Sequence, residues 1–178
     1  MPKNLVELLY TQVTALSEYL IANREVSFAS DSDDSARKVL LLAAASYFEV
    51  YLLEDVRRFL DDSLKEQHPL HKVVRTKLIN RQYHTWFNWD KDQANQFFGM
   101  FGDEFKKFMV DRIGNDAALQ SGIASFMELG RLRNELVHQN FADFAIDQTT
   151  AEIYQLYQRA VAFVSSFYAC LADFTKQM

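Results

Sequence analysis

The chain has 178 residues, 49% of them hydrophobic, with 15 Phe and 8 Tyr and a formal net charge of -5. Such apolar content supplies one sizeable core, so a single domain is expected. With 5 Gly and 2 Pro the chain has too few turn formers for a sandwich or barrel, and the negative balance argues against a general nucleic-acid coat while leaving room for a local basic groove.

Apolar residues at Leu5, Leu8, Leu9, Val13, Leu16, Tyr19 and Leu20 recur at helical spacing and predict a first amphipathic helix from Asn4 to about Arg24. Residues 25–34 are polar and read as a break, with Ser30 to Asp34 offering N-caps for a second, long helix from about Asp33 to Lys65. Its middle, Val39 to Leu53, is apolar almost all round and belongs at the centre of the core. Within it an ionised Glu49 needs a cation or hydrogen-bond donors. Arg133 is one partner, and the alternative is that Glu49 reaches the surface or a local hydroxyl.

A helix is expected from Leu70 to about Trp86. Lys72, Arg75, Lys77 and Arg81 give it the clearest basic patch of the chain, and with Tyr83, His84, Trp86 and Trp89 it could guide a single-stranded backbone and stack a base. The same residues also read as a solvated helix face with its aromatics packed inward. Further helices are expected over Asp90 to Phe101, Glu104 to Ile113, Asp116 to Asn140, and from Thr149-Thr150-Ala151-Glu152 to about Thr175.

No His-Glu-x-x-His, cysteine pair or glycine-rich phosphate loop occurs, which argues against zinc hydrolases and common nucleotide-binding folds; no metal and no cofactor is expected. The single cysteine, Cys170, lies in an apolar helical run and reads as a buried small hydrophobe. The start of the chain has no secretory pattern and no stretch of about 18 apolar residues occurs, so a soluble cytoplasmic protein is expected.

Arg131-Leu132-Arg133-Asn134-Glu135-Leu136-Val137-His138 carries the chemistry. An arginine keeps its charge while an imidazole titrates near neutrality, so Arg133 and His138 offer a fixed cation and a proton-transfer group suited to phosphodiester cleavage. Five residues at about 100° each place the two side chains about 140° apart on an ideal helix. The reach of the arginine, a helix loosening at 138–140, or a second copy of the motif across a dimer axis would close that gap. Taken alone the pair also reads as a solvated Arg with a partly buried His.

Arg133-Asn134-Glu135-Leu136-Val137-His138 late in a helical chain, with Ser46-Tyr47-Phe48-Glu49 on an earlier apolar helix, resembles the HEPN superfamily and in particular the RiboL-PSP-associated group, over roughly residues 34–167. The family pattern is Arg, a polar residue, three variable positions and His. The resemblance implies an all-α, single-domain bundle of about five to seven helices around a long central one. It further implies a metal-independent endoribonuclease of toxin-antitoxin or phage-defence systems, acting on single-stranded or loop RNA as a homodimer with the site at the interface. In this reading Arg133 holds the phosphate, His138 transfers the proton, Asn134 orients the pair and Glu49 fixes Arg133; products carry 2',3'-cyclic phosphate and 5'-hydroxyl ends. Arg131 is extra, a solvated or RNA-facing charge. An antitoxin or regulatory protein is a further partner that the resemblance implies; Asn140 stands where members paired with a minimal nucleotidyltransferase antitoxin often have Tyr, a departure from the pattern of that antitoxin type. The rival readings are a non-catalytic helical interaction module, which requires Arg133 consumed by Glu49 and His138 inaccessible, and a purely structural dimerisation domain.

Overall fold

The run 39–53 of the second helix buries Leu40, Leu41, Ala44, Phe48 and Leu52 but leaves Val39 and Val50 exposed, so it packs on one side and is not wrapped all round as its composition predicts. A computed structural model describes residues 5–80, 82–141 and 143–177, and among these the chain is helical with no strand. The helices are α1 (Leu5–Ala22), α2 (Val26–Ser63), α3 (Pro69–Val74), α4 (Asn95–Gly99), α5 (Asp103–Gly114), α6 (Ala117–His138) and α7 (Thr150–Gln177). A π turn at Arg75–Ile79 and a 3-10 turn at Tyr83–Thr85 follow α3. None of these helices is long and apolar enough to cross a membrane.

The core joins α2, α6 and α7. Phe48 of α2 meets Tyr157 of α7 at 5.3 Å and Phe126 of α6 at 5.8 Å between ring centroids, and Phe126 meets Phe163 at 5.2 Å. Each of these rings is almost wholly buried and adds about 2 to 3 kcal/mol of transfer free energy. The backbones of α6 and α7 approach closely at Gly122, where an added Cβ would lie 2.9 Å from the Arg159 carbonyl oxygen. Phe97, Phe98 and Phe105 close one end of the bundle, and Cys170 is buried there, its thiol pushed up by that burial.

Three boundaries differ from the sequence expectation. Helix α2 starts at Val26, so residues 26–34 are helical and not a break. The reason is that the acids serve cations one turn on and do not cap: Asp33 pairs with Arg37 at 2.5 Å and Asp34 with Lys38 at 2.9 Å, while Thr150 donates its hydroxyl to Asp33 at 2.7 Å. The chain reverses instead at Arg24, with φ 61°. The helix expected over 70–86 is split, since Ile79, Trp86 and Phe87 all turn inward and the Trp86 indole donates to the Leu78 carbonyl at 3.0 Å. Burial overrides propensity there. The helix expected over 90–101 shrinks to α4, because Asn88 accepts from the Asp90 N–H at 3.2 Å in a local turn that competes with helix.

Two helix starts are capped. Asp116 accepts from the Leu119 N–H at 2.9 Å; Thr149 accepts from the Glu152 N–H at 3.2 Å while Glu152 accepts from the Thr149 N–H at 2.8 Å, a reciprocal capping box.

Half-buried Asp55 gives α2 a pH response. Burial, partly offset by Tyr168 and Arg58, pushes its carboxyl from the ordinary 3.8 up to about 6. Between those values the folded protein retains a proton that the unfolded chain has released, so this group's contribution to stability falls as pH rises through the window. The Asp55→Asn variant should therefore melt above wild type near neutral pH, with the margin shrinking toward about pH 4. A margin in the thermal midpoint that is the same at both pH values would contradict this.

Candidate active site

Helix α6 presents Phe126, Leu129, Gly130 and Arg133 on one side, in steps of 3, 1 and 3 residues that keep all four within about 100° around the axis. That side faces Phe48 and Glu49 of α2 across a cavity of about 150 Å³. The remaining wall comes from Tyr83, His84 and Trp89, in the irregular segment that the break after Ile79 turns back over the bundle. Gly130 makes that wall fit: a Cβ there would stand 1.9 Å from Cζ3 of Trp89, so the indole lies directly on the α6 backbone.

Glu49 and Arg133 share one cavity, but the pairing expected from the sequence is not formed: no ion pair within 4.0 Å or hydrogen bond joins them. Both are half-buried and both act on Tyr83, whose hydroxyl is pushed up by burial and then by Glu49, with Arg133 opposing. Tyr83 consequently stays a neutral hydroxyl beside two charges.

Arg131 is placed differently. Its Nε and Nη2 donate to Glu128 at 3.0 and 2.8 Å and its Nη1 to Glu135 at 2.5 Å, while Gln148 donates to Glu128 at 3.4 Å. The flanking carboxylates hold its charge even more firmly. Of the two arginines, Arg133 is the one that forms no ion pair with an acidic side chain among the described residues.

His138 is the last residue of α6 and is exposed; the chain leaves the helix only at Gln139, with φ -108° and ψ 174°. Loosening therefore begins after His138, and the imidazole and Arg133 diverge by the about 140° of a regular helix. Asn134, half-buried, lies one turn before His138 and about 40° from it around the axis. Within one chain the structure groups Glu49 with Arg133 and Asn134 with His138, and does not bring His138 into the cavity.

Lys72, Arg75 and Lys77 are exposed on α3 and the π turn, with Arg75 3.9 Å from Glu66, and Arg81 lies outside the described residues. Trp86 is buried in the core and cannot stack a base, whereas Tyr83, His84 and Trp89 line the cavity. Gly130 was not singled out from the sequence. The signal was there: a glycine inside an apolar helix costs about 1 kcal/mol against alanine and calls for a packing reason. Among the described residues no cluster of three His, Cys, Asp or Glu side chains is placed to hold a metal ion.

A family model described as RiboL-PSP-HEPN matches residues 7–173, nearly the whole chain and wider than the 34–167 expected from the motif. No curated protein and no solved structure matches.

Proposed function

The chain belongs to the RiboL-PSP-HEPN family, and on that premise we propose that it is a metal-independent endoribonuclease acting on single-stranded or loop RNA as a homodimer, in a toxin-antitoxin or phage-defence setting. The observation that carries this reading is the state of the motif: Arg133 lines a cavity without forming an ion pair among the described residues, and His138 is exposed. The interaction-module reading requires the reverse of both, an Arg133 spent on Glu49 and an inaccessible His138.

In the proposed reaction a 2'-hydroxyl oxygen attacks the adjacent phosphorus while an imidazole takes its proton. Negative charge grows on the five-coordinate phosphorus and Arg133 compensates it. The bond to the 5'-oxygen breaks, and that oxygen leaves with a proton from an imidazole. The products are a 2',3'-cyclic phosphate and a 5'-hydroxyl. Because α6 aims Arg133 and His138 apart, Arg133 of one protomer works with the imidazole of its partner; Asn134 orients that imidazole from the same helix face. Lys72, Arg75 and Lys77 then attract the RNA backbone.

The test is incubation of the purified protein with mixed RNA in EDTA, followed by analysis of product ends. Cyclic phosphate ends that form with wild type and not with His138→Ala are expected. Cleavage that persists unchanged in His138→Ala would sink the assignment, and intact RNA with every protein would favour a binding module.

A further inference from the structure

The cavity beside Arg133 has a size and a chemistry of its own. At about 150 Å³ it matches engineered cavities that take a single benzene ring, and Phe48, Tyr83, Trp89 and Phe126 surround it with aromatic surface. Its acidic group is Glu49, a pure acceptor when ionised, whose oxygens are not engaged by Arg133 or by any other side chain among the described residues. A ligand that suits this space is flat, has one ring, and carries an N–H donor on its edge; Arg133 at the same cavity adds a place for an anion.

We propose that this cavity is a base-binding subsite for cytosine, taking the pyrimidine of an unpaired nucleotide whose phosphate lies on Arg133. The inference rests on the nuclease reading for its biological setting and adds the substrate class to it. The exocyclic amine of cytosine donates to the Glu49 carboxylate, a pairing used by acidic side chains that read this base. Uracil presents a carbonyl oxygen at the same position, so its lone pairs would face the carboxylate. Adenine has an amine but two fused rings, more than a space of about 150 Å³ takes. Stacking on the aromatic walls holds the ring, as in other proteins that bind single strands. Glu49 is then a specificity residue rather than an anchor for Arg133.

The experiment is calorimetric titration of the wild-type protein with the 3'-monophosphates of cytidine, uridine, adenosine and N4,N4-dimethylcytidine, none of which can be cleaved. Cytidine 3'-monophosphate should bind about tenfold tighter than the uridine and dimethyl compounds, which is one 1.4 kcal/mol step. Glu49→Gln, whose amide can also donate to uracil, should bring cytidine and uridine within about twofold of each other. Equal affinities for cytidine and uridine in the wild type, tighter binding of adenosine, or no heat with millimolar cytidine 3'-monophosphate would each overturn the assignment. The dimethyl compound changes only the ligand, so the outcome does not depend on how a variant folds. Selective cytidine binding by a protein that leaves RNA whole would keep the subsite and remove the nuclease; cleavage with no preference among the nucleotides would do the opposite.

Discussion

Arg133→Ala and His138→Ala, each reduced about 10³-fold in RNA cleavage alone, should regain about a quarter of the wild-type rate when mixed in equal amounts and allowed to exchange. The loss follows from removing either the charge compensation or the proton transfer. The recovery follows from the geometry of α6, which is regular through His138 and carries it about 140° round from Arg133. If each site takes its arginine from one protomer and its imidazole from the other, a mixed dimer holds one intact site and one with neither group. Half of all dimers are mixed after free exchange, and each has one working site of two. A site completed within one chain has no such route, so a mixture as inactive as its components would place arginine and imidazole in cis and refute the shared arrangement.

Gly130→Ala should lower stability by about 2 kcal/mol, a drop of roughly 5 °C in the thermal midpoint for a chain of this size. Alanine favours helix over glycine by about 1 kcal/mol, so a loss here would have to come from outside the helix. The added methyl falls on the indole of Trp89, and that ring has little freedom, being packed against Phe87 at 4.8 Å and Phe126 at 5.8 Å. Gly114→Ala is the internal control, since nothing lies within 4 Å of its added Cβ. A Gly130→Ala protein as stable as Gly114→Ala would mean that Trp89 does not rest on α6. Displacing the indole also removes a wall of the cavity, so weaker nucleotide binding should accompany the lower midpoint.

What the sequence made legible was what depends on spacing within one helix. The helix starts at Asp116 and at Thr149 to Glu152 follow from residues within one turn of each other and appear where expected, whereas the apolar run 39–53 buries only one side, with Val39 and Val50 exposed. Misreadings arose where one residue type serves two purposes. Asp33 and Asp34 suit a helix start, but they also pair with Arg37 and Lys38, and only the docking of Thr150 on Asp33 shows which use prevails. The site divides in the same way. Arg133 could be named from the sequence as one partner for Glu49 because an ionised carboxylate on an apolar helix needs a cation or hydrogen-bond donors. Their meeting at a cavity without an ion pair could not, because one wall of that cavity is Trp89. That residue arrives through a path broken after Ile79 and resting on Gly130, which no local pattern encodes.

The burial of Cys170 has a practical side. It is the chain's single thiol, none of its surface reaches solvent, and its raised pKa keeps the sulfur in the unreactive protonated form. A disulfide reagent can therefore reach it only when α7 lifts away from the bundle, which makes the labelling rate a clock for the opening of that helix. Conditions or ligands that clamp α7 down slow the clock without touching the sulfur, so the molecule carries its own single-site gauge of how often its core comes apart.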